Sequence, residues 1–172
     1  MLDLDQAPKP PRGYAAETQP PRRQFMFKRI LVATDGSVLA EKAVSKAIDL
    51  AAEHKAELRA VTVVRRQAKS YMDGTIEFEA EEIDRIGCRR AQQAKTMLEA
   101  LEKRAEACGV RVSTASVKSN RVADSIIGAA SKHGSDLIVM ASHGRKGLAR
   151  AFLGSETAHV LANSDVPVLV LR

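Results

Sequence analysis

Residues 29–34 read Arg-Ile-Leu-Val-Ala-Thr, and Asp35, Gly36 and Ser37 follow them directly. A short run that is apolar on both faces and ends in turn residues is typical of a parallel strand covered by helices. Apolar residues then recur at helical spacing, and Ser37 can accept a hydrogen bond from a free N–H group at the start of that helix. This stretch therefore predicts a buried strand, a tight turn and a helix in succession.

The same alternation of strand and helix continues along the chain. Further strands are predicted at about 57–64, 110–117, 136–140 and 166–171. Between them we expect a long helix at about 78–107, a third helix with Asn120 as its N-cap residue, and a short helix at about 155–162. This order predicts an α/β fold with one doubly wound, five-stranded parallel sheet and helices on both faces. Ligands bind such sheets beyond the carboxyl ends of the strands, where the strand order reverses.

Composition separates the domain from an N-terminal tail. Five of the six prolines lie within residues 1–21, so we expect 1–24 to be a flexible, Pro- and Arg-containing tail and 25–172 to be a single domain. The amino-terminal residues lack the apolar segment of a secretory signal, and no apolar run approaches membrane-spanning length, which predicts a cytoplasmic protein. The net charge of +6 is spread without long basic runs, and aromatic residues make up only 3%. Both features argue against nucleic acid as the main partner.

The residues after the fourth predicted strand carry the strongest functional signal. Glycines at 144 and 154 would let backbone N–H groups approach an anion closely. Ser155, as the predicted N-cap residue of the short helix, would add a hydroxyl donor, and the first turn of that helix would add its positive dipole end. Arg145, with Lys146 and Arg150, raises the local positive potential. The loop therefore predicts a phosphate-binding site without a Walker sequence.

Three segments in order resemble the universal stress protein family over about residues 27–172. Ala141-x-x-Gly144, nine residues and then Gly154-Ser155 resemble the family's nucleotide motif, with Ala141 in place of its first glycine. Residues 30–37 resemble the opening strand and turn, and 166–170 the final strand. The resemblance implies a Rossmann-like sheet of strand order 3-2-1-4-5 and a homodimer paired through Val166–Leu171. It also implies ATP, with Mg²⁺ as a possible companion, at the carboxyl edge of the sheet.

The resemblance also implies which residues contact the nucleotide. Adenine and ribose would be contacted around the first, second and fourth strands, and the phosphates by the motif and the start of the last helix. The implied cofactor-binding residues are Ala33, Thr34, Asp35, Val63, Met140, Ala141, Ser142, His143, Gly144, Arg145, Gly154, Ser155 and Glu156. The Asp35 carboxylate can accept hydrogen bonds from ribose hydroxyls or bind Mg²⁺ through water, or it can serve only as an acidic residue at a helix start. No catalytic residue and no direct metal ligand are implied.

Two functions remain open from the sequence. The first is a cytoplasmic, dimeric stress-response regulator that binds ATP or another adenine nucleotide, with at most slow hydrolysis or autophosphorylation near Ser155. The alternative is a dimeric protein-interaction module whose pocket is vestigial. Residues 140–144 resemble a nucleophile elbow, but no acid and histidine follow in a usable order, so a hydrolase is not expected. Cys88 and Cys108 are too few for a disulfide framework, and we expect Cys108 to be a small buried side chain.

Overall fold

The computed structural model describes residues 26–66, 76–144 and 153–172. The predicted tail 1–24, Arg145 and the rest of the basic loop through residue 152 lie outside these residues. Five strands alternate with four helices across the described segments. In chain order they are β1 (Arg29–Ala33), α1 (Val38–His54), β2 (Glu57–Val64), α2 (Ile76–Ala107), β3 (Val112–Lys118), α3 (Val122–His133), β4 (Leu137–Ala141), α4 (Ser155–Asn163) and β5 (Val168–Leu171).

The five strands form one parallel sheet of order β3-β2-β1-β4-β5. The predicted fold class and strand order are thus confirmed. The order reverses at β1, which lies between β2 and β4. The carboxyl ends of these three strands consequently meet at one place, where a doubly wound sheet offers its binding crevice.

Alternate residues of β1 pack into two separate cores, one on each face of the sheet. Ile30 and Val32 join the core formed with α1 and α2, whereas Leu31 and Ala33 join the core formed with α3 and α4. Because successive strand side chains point to opposite faces, a run that is apolar at every position suits a strand covered on both sides. All four residues are 9% exposed or less. The central strand is therefore held from both sides, which fixes the turn that follows it.

The helix ends agree with the sequence at α1 and differ at two other helices. Ser37 Oγ accepts the Ala40 N–H at 3.2 Å, as predicted. Asn120 does not cap α3, because the N-cap position belongs to Arg121, whose side chain makes no capping bond. Ser155 is the first residue of α4, and Gly154 is its N-cap residue. Both predictions were wrong by one residue, since local sequence fixes helix ends less firmly than tertiary contacts do.

The prediction that Cys108 is buried is also wrong. Cys108 follows the last residue of α2 and is exposed, as is Cys88. Its N–H group donates to the Ala105 carbonyl at 3.0 Å, in the turn that ends the helix. The turn carries the side chain away from the stripe by which α2 packs, and so exposes it.

Candidate functional site

A cavity of about 840 Å³ lies at the carboxyl ends of β1, β2 and β4, where the strand order reverses. The sheet edge forms its floor, and the starts of α1, α3 and α4 surround it. Most of the residues predicted to bind a cofactor line this cavity: Ala33, Thr34, Asp35, Val63, Met140, Ala141, His143, Gly144, Gly154, Ser155 and Glu156. The fold thus brings together segments more than a hundred residues apart in sequence.

Asp35 is held in place by the turn that ends β1. Its Oδ1 accepts the Ser37 N–H at 3.0 Å, and Thr34 Oγ1 accepts the Gly36 N–H at 3.2 Å. Gly36 has φ +73°, a conformation that glycine adopts without strain. The Asp35 carboxylate is half-buried at the wall of the cavity. A carboxylate fixed in this way is suited to accept hydrogen bonds from ligand hydroxyls or to hold a hydrated cation.

Ala141 needs no glycine-like backbone. It is the last residue of β4, is 8% exposed, and pairs in register with Leu171 of β5. Lys55 is the only non-glycine residue with a positive φ in the described segments, so the Ala141 methyl group meets no backbone strain. The carbonyl of Ala141 accepts a hydrogen bond from the buried Thr157 hydroxyl at 3.0 Å. The alanine is therefore accommodated as an ordinary strand residue.

The two glycines that flank the basic loop lie close to neighbouring atoms. A Cβ on Gly144 would lie 2.5 Å from Asp35 Oδ2, and one on Gly154 would lie 3.2 Å from the Ser142 carbonyl oxygen. Neither glycine has a positive φ, so close contact is what favours glycine there. The Gly154 N–H also donates to the Ser142 carbonyl at 2.8 Å, which joins the end of β4 to the start of α4. These contacts bring the first turn of α4 against the cavity.

Ser142 and His143 occupy different positions although they are adjacent. Ser142 is 3% exposed, its N–H donates to the Leu171 carbonyl at 2.7 Å, and it is not among the residues that line the cavity. His143 lines the cavity, and its Nδ1 lies 3.1 Å from Ser142 Oγ. The serine therefore supports the backbone of the site, whereas the histidine faces its interior.

The Glu156 side chain forms a link that the sequence does not reveal. Its Oε1 lies 2.6 Å from Arg65 Nη2, and its Oε2 accepts the Ala123 N–H at 3.1 Å. Glu156 is the second residue of α4, and Ala123 is the second residue of α3, so a residue of one helix caps the other. The negative charge of Glu156 is thereby paired with a guanidinium group and a helix N-terminus.

Sequence reasoning missed the wall contributed by α2. Arg90, Gln93 and Met97 of this helix line the cavity. The three residues lie three and four positions apart, so they share one helix face. The spacing alone identifies a face but not what it covers, because the placement of α2 depends on its packing against β2 and β3. No local signal would have assigned them to the site.

One residue in the described segments, His133, has a clearly shifted pKa. It lies near the amino-terminal ends of the strands, away from the cavity. The pKa of His133 is lowered, first by partial burial and then by the positive charges of Arg59 and Arg29. Its Nδ1 lies 2.9 Å from Ser135 Oγ, and its carbonyl accepts from Arg29 Nη1 at 3.2 Å. His133 ends α3 far from the cavity, so its titration bears on stability rather than on the site.

Two features are absent from residues 26–66, 76–144 and 153–172. No three His, Cys, Asp or Glu side chains there form a group able to hold a metal ion. None of the helices in these segments combines the length and the apolar character needed to cross a bilayer.

Comparison with known proteins gives consistent matches. Universal stress protein MJ0531 of Methanocaldococcus jannaschii is 34% identical over 147 residues, covering 86% of this chain and 83% of the relative. The structure of universal stress protein UspA from Lactobacillus plantarum superposes with a TM-score of 0.73 at 25% identity, covering 84% of this chain and 97% of that one. A universal stress protein solved in complex with cAMP has a TM-score of 0.62 at 25% identity, covering 86% and 98%.

The family match spans all of the described residues. The universal stress protein family matches residues 26–172, from just before β1 through β5. The match, the relatives and the sheet order agree with one another. The chain belongs to the universal stress protein family.

Proposed function

We propose that this protein is a cytoplasmic regulatory module that binds an adenine nucleotide, ATP being the first candidate, in the cavity at the carboxyl edge of the sheet. The observation that carries the proposal is the meeting of the Asp35 carboxylate and the first turn of α4 across one cavity. The first suits ribose hydroxyls and the second suits phosphate. A related protein solved with cAMP supports an adenine nucleotide as the ligand class.

The first turn of α4 supplies the phosphate-binding chemistry in this proposal. N–H groups in the first turn of a helix have no intrahelical acceptor, and Gly154 as N-cap residue offers no side chain to cap them. Gly144 and Gly154 both line the cavity, and a larger side chain at either position would collide with neighbouring protein atoms. Mg²⁺, where it accompanies ATP, would meet Asp35 through water. We propose binding as the main role, with slow hydrolysis or autophosphorylation near Ser155 at most.

The binding experiment is titration calorimetry of the nucleotide-stripped protein with ATP and Mg²⁺. We expect micromolar binding in the wild type and none in Gly154→Val, whose branched side chain would collide with the backbone at Ser142 and His143. Gly128→Ala is the matched control, because a Cβ there meets nothing within 4 Å. Absence of both heat and thermal stabilisation at millimolar ATP would contradict the proposal and favour a protein-interaction module with a vestigial pocket.

We also propose that the protein is a homodimer paired through β5. This strand ends the sheet, and its four apolar residues Val168, Leu169, Val170 and Leu171 are each only half-buried. An exposed apolar edge strand is a template for another strand. The carbonyls of Pro167 and Leu171 accept hydrogen bonds from Ile138 in β4 and from Ser142 directly after it, so by strand alternation the backbone groups of Val170 point outward.

The dimer proposal has a backbone-specific test. Val170→Pro removes an outward N–H group and leaves the pairing with β4 intact. We expect sedimentation analysis to show a dimer for the wild type and for Val170→Thr, which keeps the N–H group, and a monomer for Val170→Pro. A wild-type monomer at high micromolar concentration would refute the proposal.

A further inference from the structure

Arg65 and Glu156 reach across the carboxyl end of β1 from opposite sides. Arg65 follows β2, and Glu156 lies in α4, which follows β4; β2 and β4 flank β1 in the sheet. Strands two places apart are separated by about 10 Å, and the two long side chains close this gap to 2.6 Å. Both residues line the cavity whose floor includes Ala33 and Thr34. We call this ion pair the strap.

The two halves of the strap are not equally anchored. Glu156 is half-buried, and its second carboxylate oxygen accepts the Ala123 N–H at the start of α3. Arg65 is exposed, and Glu156 is the one partner of its guanidinium group among the described residues. Exposed ion pairs contribute little to stability, so the pair opens at low cost. When it opens, Arg65 can move while Glu156 stays on α3.

A phosphate group is a direct competitor for Arg65. The planar guanidinium fork pairs with phosphate as well as with carboxylate. Glu156 meanwhile occupies the N-terminus of α3, the second helix start at this cavity, with a negative charge of its own. Of the three helix starts around the cavity, α1 is capped by Ser37 and α3 by Glu156, whereas the N-cap residue of α4, Gly154, makes no side-chain capping bond.

Building on the proposed function, we propose that Glu156 is a specificity-determining residue that lowers the affinity of the cavity for nucleotides in proportion to their phosphate charge. It does so by competing with the phosphates for Arg65 and by placing a carboxylate beside them. Binding of a nucleotide with several phosphates opens the strap, whereas adenosine binds with the strap closed. The number of phosphates on the ligand therefore determines whether the Arg65–Glu156 contact, which links the end of β2 to α3 and α4, is open or closed.

The test compares adenosine, AMP and ATP in titration calorimetry with the wild type and Glu156→Gln. The glutamine amide oxygen can still accept the Ala123 N–H, so the helix cap is kept while the charge is lost. We expect ATP affinity to rise about five- to tenfold and adenosine affinity to stay within about twofold. In an Arg65→Gln background the gain from Glu156→Gln should be smaller, because no guanidinium is left to be released and only the repulsion between the carboxylate and the phosphates is removed.

Glu41→Gln is the matched control for net charge. Glu41 also lines the cavity and pairs with an arginine, Arg104, at 2.7 Å, but Arg104 is not part of the lining. The role proposed for Glu156 would be refuted if Glu41→Gln raised ATP affinity as much as Glu156→Gln does. It would also be refuted if Glu156→Gln raised the affinities for adenosine and ATP equally. Either result would leave the proposed nucleotide binding unaffected. If none of the three ligands bound to any variant, both the proposed function and the role proposed for Glu156 would be refuted.

Discussion

Replacing Gly144 with alanine tests the geometry of the site through a single methyl group. The new Cβ would lie 2.5 Å from Asp35 Oδ2, so that oxygen must retreat by about 1 Å to reach ordinary van der Waals separation. This movement weakens a hydrogen bond, because the other carboxylate oxygen, Oδ1, accepts the Ser37 N–H at 3.0 Å. Gly144 has no positive φ, so backbone strain does not contribute. The substitution therefore acts on the position of Asp35.

The expected magnitudes differ between stability and binding. Losing the hydrogen bond from Ser37 costs about 1 kcal/mol, and the lower entropy of the unfolded chain with alanine offsets about half of that. The apo protein should therefore unfold within about 3 °C of the wild type. Binding should suffer more, because a displaced Asp35 no longer meets a ribose hydroxyl. A loss of about 1.4 kcal/mol corresponds to tenfold weaker binding of ATP.

Two ligands make the assay specific for Asp35. With the wild type, ATP should bind more tightly than its 2′-deoxy analogue, and Gly144→Ala should reduce that difference. Gly128→Ala is the control; it should raise the free energy of unfolding by about 0.5–1 kcal/mol and leave both affinities unchanged. Equal binding of ATP to Gly144→Ala and to the wild type would refute the assignment of Asp35 to the ligand.

Three further predictions concern stability and are measured by urea denaturation. Thr157→Val should lower the free energy of unfolding by about 1–2 kcal/mol, because it leaves the Ala141 carbonyl without its buried hydroxyl donor; an unchanged midpoint would contradict this role. The lowered pKa of His133 means that the unfolded state binds more protons just below pH 6.5, so wild-type stability should fall as the pH drops through that range. His133→Gln should lose that part of the pH dependence, and an identical profile would refute the assignment. Lys55→Gly should stabilise the protein by about 0.5 kcal/mol, since Lys55 ends α1 at φ +53°, and a loss of stability would argue against strain there.

The fold could be predicted from the sequence because the sequence signals that specify its helices and strands are local. The apolar run of β1, the Ser37 cap and the alternation of elements each follow from neighbouring residues. Parallel strands with helical connections then allow few arrangements, and the resemblance selected the observed one. The strand order and the convergence of Asp35, Ala141 and Gly154 were therefore predictable.

The parts that the sequence did not reveal depend on packing between distant elements. The Glu156 contact with Ala123 requires the starts of α3 and α4 to lie side by side, which neither helix encodes alone. The wall formed by Arg90 and Met97 requires the position of α2 against the sheet. Ser142 falls in the middle of the motif, yet the fold turns it into the protein interior. In each case the deciding interaction joins residues far apart in the chain.

The two edges of the sheet differ in a way that limits how copies can assemble. The outer strand β3 carries Ser113, Ser116 and Lys118, whereas β5 is apolar throughout. Polar and charged side chains on an edge strand discourage pairing with another chain. In the proposed dimer a second copy adds at β5, and the outer strand at each end of the resulting ten-stranded sheet is β3. Growth stops after one step, so this asymmetry favours a closed pair over an open-ended polymer.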